Sequence, residues 1–179
     1  MDEQVLVIPT QRLFDLNCYV QGCTKWVPAD LLHGELRPRS TVETDFNFKQ
    51  LIPYVVFRNG DTFFSYKRST GQGEARLHGK YSIGIGGHIN DENLFDACRR
   101  EIHEEVILPS TLDNDLCLVG LINDDTNAVG RVHLGVLFVL DAAGIEPREN
   151  TMINAGYRSR EELQTFPLET WSQYALNAL

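Results

Sequence analysis

Two hydrophobic periods alternate along the chain. Runs rich in β-branched and aromatic residues occupy 4–9 (QVLVIP), 51–58 (LIPYVVFR), 62–68 (TFFSYKR), 81–85, 117–122 and 131–141 (RVHLGVLFVLD). Each predicts a strand. Asn59-Gly60-Asp61 is a turn signal that joins the second and third runs into a hairpin. The run 131–141 is apolar on both faces, as a central strand must be. A different period governs residues 92–106. At about 100° per residue, Leu94, Phe95, Cys98, Ile102 and Val106 share one arc of an amphipathic helix, and Pro109 stops it.

Shorter signals fill the rest. Pro28-Ala-Asp-Leu-Leu predicts a short helix, and 37–45, 69–80 and 143–151 read as loops. Ser159 with Glu162 three residues on is a capping-box pattern at the start of another helix. Residues 168–179 predict a terminal amphipathic helix with Trp171, Leu176 and Leu179 inward. Strands on both sides of one central helix, then late helices, predict an α+β fold in a single domain, 1–179. Residues 1–46, whose periodicity is weak from 10 onward, are read as an N-terminal extension packed on it. Covering the site and forming a homodimer contact are both open roles for it.

The central helix carries an unusual charge arrangement. Glu101, Glu104 and Glu105 are surface neighbours at spacings of three and four. Glu101 and Glu104 fall beside the apolar arc and Glu105 projects within it. Acids in a last turn oppose the helix dipole. Two carboxylates ~4 Å apart repel by about 4 kcal/mol at an effective dielectric of ~20, against ~0.3–0.5 kcal/mol from a helical salt bridge. No lysine follows in that turn. A hard divalent cation would turn the repulsion into ligation, because carboxylate oxygens are its preferred donors.

Composition narrows the partners. A net charge of −9, from 16 basic and 25 acidic residues, disfavours long nucleic acid and anionic membranes. It does not disfavour one small nucleotide beside a metal. The longest apolar run, 132–140, is far shorter than the ~20 residues of a membrane span, and the N-terminus lacks a signal-peptide pattern. Cys18, Cys23, Cys98 and Cys117 form no C-x-x-C pair, so reduced thiols and a cytoplasmic location are expected rather than structural zinc.

Gly86, Glu92, Arg100, Glu101, Ile102, Glu104, Glu105 and Leu108 match G-x5-E-x7-R-E-U-x-E-E-x-G-U, where U is aliphatic. This resembles the Nudix hydrolase signature, with one departure: Ile107 stands where the motif has its late glycine. The strings GKYSIGIGGHIN and VGRVHLGVLF also resemble a Nudix group described as predicted phosphoesterases. The resemblance implies an α/β/α sandwich with a mixed central sheet. It implies Mg2+ or Mn2+ held by Glu101, Glu104, Glu105 and the Gly86 carbonyl. It implies hydrolysis of a nucleoside diphosphate linked to another moiety. By analogy Arg100 and Glu92 hold the glutamates in place. The general base stays open among Glu101, Asp124, Asp125, Glu161 and Glu162.

Lys67, Arg68, Arg76, His78 and Lys80 form the one basic cluster just before the motif and are candidate phosphate ligands, with a solvated strand end as the alternative. His88, next to the glycines, is a substrate-contact candidate. His133 reads as a satisfied core histidine. Phe64, Tyr66, Tyr81 and Trp26 read as core rather than base-stacking residues. Two other functions compete. One is a catalytically weak or inactive Nudix-like nucleotide-binding module, which Ile107 favours and the intact glutamates oppose. The other is an isoprenoid diphosphate isomerase, which needs a cysteine–glutamate pair for which no motif is present.

Overall fold

The computed structural model describes residues 2–69, 77–109, 116–148 and 152–179. In chain order the elements are β1 (Gln4–Pro9), α1 (Thr10–Asp15), β2 (Gly22–Thr24), a 3-10 turn (Ala29–Leu32), β3 (Glu35–Pro38), α2 (Arg39–Val42), β4 (Phe48–Asn59), β5 (Thr62–Arg68), β6 (Tyr81–Ser82) and β7 (Gly84–Ile85). Then come α3 (Leu94–Glu105), β8 (Val106–Ile107), β9 (Cys117–Asn123), α4 (Ala128–Arg131), β10 (His133–Asp141), β11 (Glu146–Pro147), β12 (Met152–Ser159), α5 (Arg160–Gln164) and α6 (Thr170–Ala178).

The sheet order is β12-β5-β4-β10-β9-β2, with β1, β3, β6 and β7 attached off that path. β4 and β10 run parallel from Gln50↔His133 to Arg58↔Asp141, and the other pairings are antiparallel, so the sheet is mixed. β10 is buried from His133 to Leu140, as its continuous apolar run requires.

Along β4 successive side chains serve opposite faces. Leu51, Val55 and Phe57 join the cluster holding Ala97, Cys98, Ile102 and Val106 from the α3 side. Tyr54 and Val56 join Leu163, Ala175 and Leu176 from α5 and α6. The helices therefore sandwich the sheet, and β4 is its hinge. On the side away from β10, β4 has three partners in turn: β1 at Phe48–Gln50, β7 at Val55–Val56 and β5 at Arg58–Asn59. Residues 51–54 fall between them. Into that gap runs the glycine turn, with Leu6 N–H donating to the Ile89 carbonyl at 2.8 Å.

Several elements depart from the sequence pattern, each for a tertiary reason. The strand read from Arg131 begins at His133, because Asn127 accepts from the Gly130 N–H and caps a helical turn before it. The stretch 37–45 is no plain loop: β3 pairs with β1, and α2 buries Val42. Within 143–151, Glu146 and Pro147 pair with β8. β12 carries no clean alternation, because Asn154 at φ 52° and the register shift between Ile153 and Gly156 break it. Residues 4–9 and 22–24 are strands of the sheet itself. Trp26 is 63% exposed rather than core. Among the described residues no helix is long and apolar enough to cross a membrane.

Candidate active site

The glutamate-bearing helix starts at Leu94, two residues after the predicted start. Asn93 is its N-cap, accepting from the Asp96 N–H at 3.0 Å. It ends at Glu105. Val106 turns extended (φ −136°), and Ile107 pairs with Glu146 while Arg148 N–H donates to the Glu105 carbonyl at 2.9 Å. A strand pair thus finishes the helix where a left-handed glycine would otherwise do so. Ile107, 45% exposed in extended backbone, needs no glycine.

The three carboxylates differ in depth. Glu101 is 8% exposed, the Glu104 side chain is 59% exposed, and Glu105 is half-buried. The deepest is Glu101, not Glu105 as the helical projection suggested. The reason lies in the glycine pair, which the projection does not contain. A Cβ at Gly87 would overlap the Glu101 carboxylate, and a Cβ at Gly86 would overlap the Pro53 carbonyl oxygen. Gly86 seats the turn on β4, and Gly87 makes room for Glu101.

Arg100 ties the cluster together. Its Nε and Nη2 donate to Glu92 Oε1 at 3.0 and 2.7 Å, and Nη2 also donates to the His88 carbonyl at 2.7 Å. Nη1 donates to Glu101 Oε1 at 2.6 Å and reaches Glu104 Oε2 at 3.4 Å. One guanidinium thus links the glycine turn to the helix. Burial pushes the Glu101 carboxyl above its usual 4.5; Arg100 opposes that shift, and Glu104 and Glu105 add to it. Burial, with Arg39 and His133 nearby, depresses His88 to about 4. His133 Nδ1 lies 2.8 Å from the Val129 carbonyl and so carries its proton there. Its Nε2 then accepts from His88 Nε2 at 3.4 Å.

On the other face of β4 lies a cavity of about 170 Å3, lined among others by Ile52, Tyr54, Arg68, Gly86, His133 and Trp171. Glu169, 4% exposed, sits in its wall. Its Oε1 lies 2.6 Å from Ser82 Oγ, 3.1 Å from Tyr54 Oη and 3.2 Å from Ser172 Oγ, and its Oε2 accepts from Arg68 Nε at 2.9 Å. The cavity and the carboxylates meet at the glycine pair, since Gly86 lines one and Gly87 abuts the other. Tyr66 also lies near the junction: it donates to the Gly84 carbonyl at 3.1 Å, and its ring lies 5.8 Å from the Arg68 guanidinium.

The structure brings Glu92, Arg100, Glu101, Glu104, His88, Gly86 and Arg68 to this junction. Lys67 pairs with Tyr81 at the end of β5, and His78 lies in the turn before β6; neither lines the cavity. Arg76 falls outside the described residues. Asp124 and Asp125 build a loop. Asp124 accepts from Gln21, Thr126 and Asn127, and Asp125 accepts from Lys49 Nζ at 2.8 Å, from Tyr19 and from Asn123. Glu162 closes the capping box with Ser159, beside the β4–β5 hairpin turn and away from the glycine pair, and Glu161 is its exposed neighbour. Glu169 was missed. Its only sequence signal is an acid before a helix, and its partner Arg68 is 101 residues away.

No protein-family model matches the chain. Protein YmaB of Bacillus subtilis (strain 168) is 36% identical over 203 aligned positions, spanning 100% of this chain and 98% of YmaB. The crystal structure of Tm1382, named as a candidate Nudix hydrolase, superimposes with a TM-score of 0.82 at 31% identity, covering 98% of this chain and 97% of that one. The chain belongs to the Nudix family. A more distant Nudix-fold neighbour is a bifunctional NMN adenylyltransferase/ADP ribose pyrophosphatase from Francisella tularensis, solved with AMP and a manganese ion. It shares 16% identity at a TM-score of 0.54, over 72% of this chain and 40% of that one. That likeness is one of fold. In this Nudix protein the motif helix is closed by β8 and β11 instead of the late glycine.

Proposed function

We propose that this Nudix protein is a Mg2+- or Mn2+-dependent hydrolase of a nucleoside diphosphate linked to another moiety. The observation that carries the reading is the gathering of Glu101 and Glu104 beside the glycine turn by one arginine, with Glu105 following on the same helix. Oxygen-only donors suit a hard cation. Among the described residues no three such side chains already converge as a cage, because Arg100 spans Glu101 and Glu104. The chemistry of these oxygen donors suits the ion, and the exposed Glu104 is held to Arg100 only at 3.4 Å. Glu101, Glu104, Glu105 and the Gly86 carbonyl would hold it. Such an ion, when bound, supplies charge neutralisation and polarisation at phosphorus.

The chain's own residues do the rest. Arg100, anchored on Glu92 and the His88 carbonyl, fixes the turn relative to the helix. Of the base candidates, Glu101 is the one that lies at the cluster, joined to Glu92 and the turn through Arg100. Net charge −9 around a small neutralised pocket favours a small nucleotide over a long polyanion. The AMP and manganese in the Francisella neighbour support the same choice of ligand and metal.

A second reading, nucleotide binding without turnover, is favoured by the engagement of Glu101 and Glu104 with Arg100. Dinucleotides, nucleotide sugars, nucleoside triphosphates and capped RNA, incubated with Mg2+ or Mn2+ and assayed for phosphate-bearing products, separate the two. Cleavage of a small compound is expected. Binding with no cleavage across the panel favours the second reading, and preferential cleavage of capped RNA overturns the charge argument.

A further inference from the structure

The cavity on the α6 face has walls of two kinds. Ile52, Leu77 and Val129 are apolar, and Trp171 presents an indole. The indole is held in place: its ring meets Tyr54 edge-on at 5.7 Å, and a Cβ on Gly135 would lie 2.9 Å from its Cζ3. Glycine at 135 therefore lets the ring lie against β10. At about 170 Å3 the space matches one planar ring system, since cavities near ~150 Å3 admit benzene. A ring seated there would leave its phosphates on the Gly86 side, toward the glutamates.

The polar wall is the Arg68–Glu169 pair. Glu169 is saturated by three hydroxyls and the Arg68 Nε, so it has little capacity to accept from a ligand. Its effect is to hold the guanidinium in one plane and make the pair neutral overall. The guanidinium itself stays charged, so it pulls less on a distant phosphate but still donates strongly to a carbonyl in contact with it. That moves Arg68 from the phosphate role its sequence position suggested.

We propose that this cavity binds the planar ring of the group attached to the phosphoanhydride and that Arg68 donates to a carbonyl on the ring's edge, selecting oxo-bearing bases such as guanine or hypoxanthine over adenine. The assignment rests on the nucleotide-hydrolase reading above and adds the base to it.

Trp171 is its own reporter. With the exposed Trp26 changed by Trp26→Phe, the remaining emission comes from Trp171. Guanosine and inosine 5′-monophosphates should shift that emission saturably, and adenosine 5′-monophosphate should bind about tenfold more weakly, the value of one charged-donor hydrogen bond. Ribose 5-phosphate, which has no ring, should leave it unchanged. Arg68→Met with Glu169→Gln removes both charges together and should erase the guanine preference while ring binding persists. If that pair fails to fold, Arg68→Lys keeps the charge balance, loses the planar fork and should erase the same preference. Equal affinity for guanosine and adenosine monophosphates, or ribose 5-phosphate competing as well as either, overturns the proposal. A phosphoanhydride hydrolysis assay on the same protein keeps the two readings apart. Hydrolysis without a ring-dependent Trp171 response overturns the cavity assignment alone. A ring response without hydrolysis removes the hydrolase and leaves the cavity assignment standing.

Discussion

Glu101 and Glu169 are both buried carboxylates on opposite faces of one sheet, and the chain surrounds them in opposite ways. Glu169 has three hydroxyls on one oxygen and an arginine on the other. Glu101 has one arginine, which also reaches Glu92 and Glu104, and two further glutamates nearby. A buried charge whose lone pairs are satisfied belongs to the architecture; one left short of partners beside like charges opposes it. The shortfall at Glu101 is what a divalent cation would supply. The full complement at Glu169 is what holds Arg68 at the cavity.

The sharpest way to break this comparison is to exchange charge for amide on the Glu101 side. Glu105→Gln should lower kcat by ~10²-fold or more in saturating Mg2+, while in chelator its thermal unfolding should stay no lower than wild type. Near wild-type turnover would remove the cluster from catalysis. On the other face the order of effects should invert. Glu169→Ala strands Arg68, which is about one-third exposed, and removes the shared acceptor of three buried hydroxyls, which keep only their bonds to one another and to the Gly84 carbonyl and Ile83 N–H. A loss of ~2–3 kcal/mol in urea unfolding is expected, with a smaller change in kcat than Glu105→Gln gives. Equal effects of both substitutions on both readouts would erase the distinction.

The glycine pair tests the link between the faces. Gly87→Ala drives a methyl into the Glu101 carboxylate, and Gly86→Ala drives one into the Pro53 carbonyl. Overpacking of this kind costs ~1–3 kcal/mol. Because a side chain yields more easily than backbone, Gly86→Ala should lose more stability, and Gly87→Ala should lose activity out of proportion to stability. Comparing kcat and unfolding free energy for the two variants checks this. The smallest effect concerns pH. Burial raises the Glu101 carboxyl above 4.5, so its charged form costs the native state above that raised value and the cost disappears as pH falls below 4.5. In metal-free buffer Glu101→Gln should therefore be more stable than wild type at pH 7 and lose that advantage below about pH 4.5. A constant difference across the range would assign the shift to another group.

Much of this arrangement was legible in sequence because it is local. The spacing of Glu92, Arg100, Glu101, Glu104 and Glu105 lies within one turn-plus-helix unit, and β4, β5 and β10 announce themselves as apolar runs. The depth order of the glutamates was not legible, since Gly87 sets it from outside the helix. Nor was the second acid. Glu169, Arg68, Tyr54, Ser82 and Ser172 come from four separate stretches, and each alone is an ordinary residue of its element. Asp124 and Asp125, open in the sequence as general-base candidates or turn residues, have their carboxylates engaged by loop partners that only the fold brings together. At Ile107, where the motif has its late glycine, the short β8–β11 pair follows the helix, a long-range pairing the local sequence does not announce.

Thermal unfolding against added Mg2+ tests the central contrast most directly. The wild-type protein should gain stability with metal, about 2.7 kcal/mol at ~100 times Kd and so several degrees in Tm. Glu101→Gln with Glu105→Gln should melt higher than wild type in chelator and show no metal response, because the repulsion and the ligands go together. Glu169→Gln should melt lower than wild type and keep the response. A double variant that still gains the wild-type increment from Mg2+ would contradict the account, placing the cation away from Glu101 and Glu105.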